Sequence, residues 1–197
     1  MGGTTALAAK VLEYLGELEP KSQSPCALGN CQSRRVYALD SFEGHPAYGE
    51  DEAVRAHSHS KFYQSDFKEA DRMLRNYRLG SGARLVKGFF GHSIPPLLPE
   101  LRQRGIVMLR VDADSFQSTK EALTLLYPTV SPGGVVCVST YAVFPGATRA
   151  TDEFRVEHNI RQPLQRAQHG RVYWTKPEMF AGSCGSASSS SSCDMKL

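Results

Sequence analysis

At 197 residues and 41% hydrophobic content, the chain is long enough to bury the core of one ordinary domain. Its net charge of +3 comes from 23 basic and 20 acidic residues without a dominant block, and no basic stripe interleaves with aromatics, which argues against a nucleic-acid surface. The longest apolar runs fall short of a membrane span and the N-terminus lacks a charged-then-apolar signal pattern, so a soluble, cytoplasmic protein is expected.

The chain opens on Gly2-Gly3-Thr4-Thr5 and enters a stretch whose Leu7, Val11, Leu12, Leu15 and Leu18 share one helical face. Thr4 or Thr5 is placed to cap that helix. Two glycines at a helix start let backbone N–H groups approach a ligand; an ordinary flexible terminus has the same composition. Met1-Gly2 makes no myristoylation site, because that motif needs Ser or Thr where Ala6 stands.

Residues 20–32 have the composition of a loop. Arg35-Val36-Tyr37-Ala38-Leu39 is a strand that ends at Asp40-Ser41. An acidic residue at the end of the second strand of a Rossmann-like unit accepts ribose hydroxyls, so Asp40 is a nucleotide-contact candidate, with a turn Asp as the alternative. Residues 45–64 are polar and carry His57 and His59 without a clear period; such a pair could bind metal on a strand but in a loop is more often solvated, and the segment is a candidate lid. Ser65 is placed to cap a helix with Phe67, Leu74 and Tyr77 on one face, closed by Gly80. Arg84-Leu85-Val86 is a short strand, followed by Lys87-Gly88-Phe89-Phe90, whose aromatics can sandwich a planar base or fill core. Pro95-Pro96 starts another helix, ending near Gly105.

The next stretch organises the rest. Ile106-Val107-Met108-Leu109 reads as a buried strand and stops at two carboxylates one residue apart, Asp112 and Asp114. A polar segment, Ser115-Phe116-Gln117-Ser118-Thr119, then leads into a helical pattern from Lys120. Ligands of open α/β sheets sit beyond the carboxyl ends of the strands, which puts Asp112 and Asp114 at the rim of a site; a solvated turn that caps the helix is the competing reading. Ser131-Pro132-Gly133-Gly134 is a turn, Val135–Val138 a buried strand ending at Ser139-Thr140-Tyr141, residues 150–166 a helix with Phe154 and Ile160 inward, and residues 171–174 a last strand. Residues 1–181 are expected to form one domain, and the Ser-rich segment 182–197 a disordered tail. Cys26, Cys31, Cys137, Cys184 and Cys193 are odd in number and unrelated in spacing, so neither a zinc site nor a catalytic thiol is expected; Cys137 reads as core.

Taken in order, RRVYALDSFEGHP, LVKGFF, LRVDADSFQSTKEALTLLYPTVSPGG and VVCVSTY resemble the macrocin O-methyltransferase-like (TylF-type) family of S-adenosylmethionine-dependent sugar and natural-product O-methyltransferases. The resemblance runs from about Gly2 to Trp174, and its most specific part is Leu109 to Pro128. It implies a Rossmann-like class I methyltransferase fold, an α/β architecture with a mostly parallel sheet flanked by helices and antiparallel last strands. It implies a donor over Gly2, Gly3 and Thr4, its ribose at Asp40 and Ser41, and its adenine near Phe89 or Phe90. The first carboxylate of the D-x-D, Asp112, would help hold Mg²⁺, and Asp114 would be the general base. The acceptor would be a small-molecule hydroxyl.

Two departures from the family pattern stand out. Ser139 and Thr140 occupy the places where the family carries adjacent aspartates as further metal ligands, and neutral hydroxyls are poor substitutes for charge. The family's first strand and the front of its glycine loop belong ahead of Gly2, where only Met1 stands. That strand lies between those at Val36 and Met108, so either the sequence is a fragment or the two flanking strands have closed the gap. Two functions follow: an O-methyltransferase, or a non-catalytic remnant of the fold acting as a binding protein. A nicotinamide-dependent oxidoreductase would need an intact G-x-G-x-x-G after a first strand, and there is none. Neither the acceptor nor the oligomeric state can be read from the sequence.

Overall fold

The computed structural model describes residues 5, 7–11, 35–44, 65–79 and 82–178. In chain order they form β1 (Val36–Asp40), α1 (Phe67–Asn76), β2 (Ala83–Lys87), a short α2 (Phe90–Ser93), α3 (Leu98–Arg104) and β3 (Ile106–Val111). There follow α4 (Phe116–Leu126), β4 (Val130–Val138), α5 (Pro145–Glu157), β5 (Gln165–Arg166) and β6 (Val172–Thr175). Gly2, Gly3 and Thr4, the polar segment with His57 and His59, and the Ser-rich tail lie outside the described residues.

The strands fall into two groups. β1 pairs in parallel with β2, from Val36 opposite Ala83 to Asp40 opposite Lys87. The other sheet has the order β3-β4-β6-β5, parallel between β3 and β4 and antiparallel among the last three strands. Among the described residues β1 and β3 do not pair, so the neighbouring strands have not closed on each other. β3 is therefore less buried than its apolar run suggests: Val107 is 69% and Met108 60% exposed. With no described strand on that side, a β-strand keeps one row of polar backbone without a described partner, and side chains lose their cross-strand cover.

The two groups nevertheless share a core. Ile94, Leu97, Leu109, Val111, Leu123, Val136, Val138, Phe154 and Trp174 are buried together, and Tyr37, Leu39 and Val86 from β1 and β2 pack against them. Glu100 on α3 adds a polar tie, accepting from the Tyr37 hydroxyl and, at 3.0 Å, from Arg84. A smaller apolar cluster joins Ala9, on a helical turn, to Leu74, Leu79 and Ala83.

Several ends differ from their expected positions for local reasons. Asp66, not Ser65, caps α1: its backbone is extended and its carboxylate accepts from Lys68 N at 2.8 Å. Pro95 and Pro96 lie in a 3₁₀ turn ahead of α3. α5 begins at Pro145 rather than Ala150, because proline is well suited to a first helical position, and it ends at Glu157. Gln165 and Arg166 belong to β5.

The expected turn at 131–134 lies inside β4. Ile106 is opposite Val130 but Met108 is opposite Val135, so the intervening residues bulge out of the ladder. At Gly134 an added Cβ would stand 2.8 Å from Ser131 O and from a Val130 methyl, and 3.0 Å from Ile106 O. Two of these atoms are backbone and cannot swing away. Gly134→Ala should cost about 1–3 kcal/mol by overpacking, seen as a lower urea midpoint with an unchanged slope; an unshifted midpoint would show that the bulge is not closed in this way.

Candidate functional site

Strand ends gather the candidate residues. β1 delivers Asp40 and Ser41. The Asp40 Oδ1 accepts from Phe42 N at 2.7 Å, and Ser41 Oγ donates to Gly44 O at 2.8 Å, which fixes the turn. A carboxylate has lone pairs beyond the one used here, and Asp40 is exposed, so ribose hydroxyls can be accommodated. Gly88 N donates to Asp40 O at 2.9 Å, tying the end of β2 to the end of β1. Phe89 follows as the N-cap residue of α2, and both Phe89 and Phe90 are half-buried. α2 reaches the helix that follows β3: a Cβ on Gly91 would be 3.6 Å from a Glu121 carboxylate oxygen on α4. The ends of β2 and β3 thus face a common region although their sheets are not hydrogen-bonded.

The D-x-D loop is built from three hydroxyls. Ser115 caps α4, its Oγ accepting from Ser118 N at 3.1 Å. Helix capping is thus the work of Ser115, and the two aspartates are not needed for it. Between them Ala113 is 7% exposed, and its carbonyl accepts from Thr119 Oγ1 at 3.0 Å and Thr140 Oγ1 at 2.7 Å. Both threonines are buried. One carbonyl pinned from α4 and from the end of β4 holds the loop from two directions, with exposed Asp112 and half-buried Asp114 flanking it.

Register explains the next contact. Val111 lies opposite Val138, so one step on, Asp112 comes abreast of Ser139. In a strand the residue two positions back shares the face, and for Asp112 that is Arg110. Its guanidinium bridges the pair: Nη2 donates to Asp112 Oδ2 at 2.7 Å and Nε to Ser139 Oγ at 2.7 Å. Arg110 was not singled out from sequence; the signal available was the i, i+2 spacing in Leu109-Arg110-Val111-Asp112.

These residues do not suit Mg²⁺. The Ser139 hydroxyl and an Asp112 oxygen are engaged by a cation already present, and Thr140 points its hydrogen bond at Ala113. Among the described residues no group of three His, Cys, Asp or Glu side chains is placed to hold a metal ion.

Beyond β4, a shallow concavity of about 380 Å³ is lined by Ala142, Val143, Pro145, Thr148 and Arg149. The Arg149 guanidinium lies 4.2 Å from the centre of the Phe116 ring, just past the D-x-D loop. Tyr141 donates to Asp152 at 2.9 Å, and burial together with that bond raises its phenol above the ordinary range. Burial likewise pushes the half-buried Cys137 thiol up, which fits a packing residue rather than a nucleophile. No helix among the described residues is long and apolar enough to cross a membrane.

Comparison with known proteins bears on the fold and the family. Demethyldecarbamoylnovobiocin O-methyltransferase of Streptomyces niveus is 32% identical over 151 residues, covering 74% of this chain and 56% of that one. A tetracenomycin-type 4'-O-methyltransferase of Streptomyces olivaceus, named for its 8-demethyl-8-(2,3-dimethoxy-alpha-L-rhamnosyl) substrate, is 30% identical, covering 72% and 55%. The chain therefore spans a little over half the length of these curated relatives. The solved structure of the O-methyltransferase NovP superposes with a TM-score of 0.65 at 30% identity, covering 78% of this chain and 64% of that one. The fold is the Rossmann-like α/β fold of class I methyltransferases. The sequence profile of the family described as macrocin-O-methyltransferase (TylF) matches residues 24–176, and the chain belongs to that family.

Proposed function

We propose that the protein transfers a methyl group from S-adenosylmethionine to a hydroxyl of a small molecule of the sugar or natural-product type. The observation that carries this reading is the D-x-D loop at the carboxyl end of β3, pinned through the Ala113 carbonyl by Thr119 and Thr140, in a chain of this family. Asp40, with Ser41 beside it, would hold the donor's ribose; Phe89 or Phe90 would lie against its adenine; Gly2, Gly3 and Thr4 would meet its amino-acid end. When bound, the donor supplies a sulfonium methyl open to in-line attack by an alcohol oxygen. Asp114 takes the proton that the acceptor hydroxyl gives up, which matters because an unactivated alcohol is a poor nucleophile at neutral pH. The pinned loop supplies orientation, the other large contribution to such a displacement.

Calorimetric titration with S-adenosylhomocysteine tests the donor site without needing the acceptor. Micromolar binding is expected. Asp40→Ala should weaken it about tenfold to a hundredfold, the worth of a hydrogen bond to a charged acceptor. No heat from a chain that unfolds cooperatively would overturn the proposal.

A further inference from the structure

The positive charge at this site comes from the chain itself. A divalent ion of the Mg²⁺ type wants oxygen ligands that carry negative charge and have lone pairs to give. At the end of β3 and β4 the candidates are Asp112, Ser139 and Thr140, and each is committed. Asp112 Oδ2 and Ser139 Oγ both accept from Arg110 at 2.7 Å. Thr140 Oγ1 donates to Ala113 O at 2.7 Å and is buried. An arginine is charged at every accessible pH, and its planar fork satisfies two acceptors at once, so it is not easily displaced. A dication brought between Asp112 and Ser139 would meet that guanidinium at close range, and the Asp112 carboxylate that should attract the ion is already paired with the guanidinium.

We propose that the Arg110 guanidinium, clamped between Asp112 and Ser139, is the fixed cation of this site and takes the place of a divalent metal. The inference rests on reading the D-x-D loop as the place of methyl transfer. Arg110 is then a positioning residue: it holds Asp112 against the end of β4 and supplies, without a bound ion, positive charge near an oxygen that becomes more negative as its proton leaves.

The test is a Mn²⁺ titration of the full chain followed by the electron paramagnetic resonance signal of free Mn²⁺, with and without S-adenosylhomocysteine. The parent chain is expected to show no saturable binding up to millimolar Mn²⁺. Arg110→Met combined with Ser139→Asp removes the cation and adds a second carboxylate, and should bind one Mn²⁺ at least tenfold more tightly than the parent. Saturable binding to the parent that Mg²⁺ displaces and Asp112→Asn abolishes would overturn the proposal. So would a double variant that binds no better than the parent, since the clamp would then not be what excludes metal. The readout is independent of donor affinity, so a failure of the methyltransferase reading appears separately, as absent S-adenosylhomocysteine binding.

Discussion

Trp174→Ala should destabilise the protein by about 3–5 kcal/mol, the range for truncating a fully buried large aromatic. Trp174 has no exposed surface and sits in β6 opposite Val136 of β4, itself fully buried. Its ring lies 6.4 Å from that of Tyr127, which meets Phe154 edge-on at 5.3 Å, and the Arg155 guanidinium is 5.0 Å from its centre. α5, β4, β6 and the turn after α4 therefore all lose packing together. A single domain is held by only about 5–15 kcal/mol, so the urea midpoint should fall steeply. The milder Trp174→Phe separates ring packing from polarity: the indole Nε1 is buried and makes no close hydrogen bond among the described residues, facing the Tyr127 phenol only at longer range. Losing that donor offsets part of the lost volume, and the expected cost is below about 1.5 kcal/mol. A loss under 1 kcal/mol for Trp174→Ala, on the order of a surface substitution, would mean that the β4–β6 layer is not the core described above.

What the sequence made legible follows the range of the interactions involved. Apolar runs placed β1, β2 and β6 within one residue and β3 within two, because strand identity is written in neighbouring side chains. Helix starts were less accurate. The choice between Ser65 and Asp66 depends on which backbone is extended, and the start of α5 on a proline that reads equally well as a breaker. Cys137, expected in the core, is only half-buried and stands outside the core clusters, whereas Phe154 was recognisable as a packing residue from its surroundings alone. The Arg110–Ser139 contact was not, since it joins residues 29 apart and exists only because β3 and β4 run parallel in one register. Thr140 was noted only as a lost metal ligand, and its joint role with Thr119 was not legible for the same reason: their shared acceptor is a backbone carbonyl, which no side-chain pattern reveals. Among the described residues the strands at Val36 and Met108 belong to two groups that do not pair, so the gap has not been closed by these two strands, and Val107 and Met108 are exposed.

Asp114→Asn should lower kcat/KM for methyl transfer by about 10²–10⁴-fold, the usual worth of a positioned general base, while S-adenosylhomocysteine affinity stays within about twofold. Asparagine keeps the shape of the side chain and one carbonyl oxygen but cannot take a proton. The loop itself should survive the change. Ala113 remains pinned by Thr119 and Thr140, and Ser115 continues to cap α4, none of which uses the Asp114 carboxylate. Asp112→Asn is the internal comparison. Its amide oxygen can still accept from Arg110, now without the charge assistance of an ion pair, so a smaller loss is expected, carried through orientation rather than proton removal. Turnover and donor binding measured on both variants divide the possibilities. Equal, severe losses in both would assign the two carboxylates to one task, and unchanged turnover in Asp114→Asn would remove that residue from proton transfer altogether. A fall in donor affinity matching the fall in kcat/KM, with kcat unchanged at saturating donor, would instead place Asp114 against the donor, because removing an interaction made equally in ground and transition state weakens binding without slowing the chemical step.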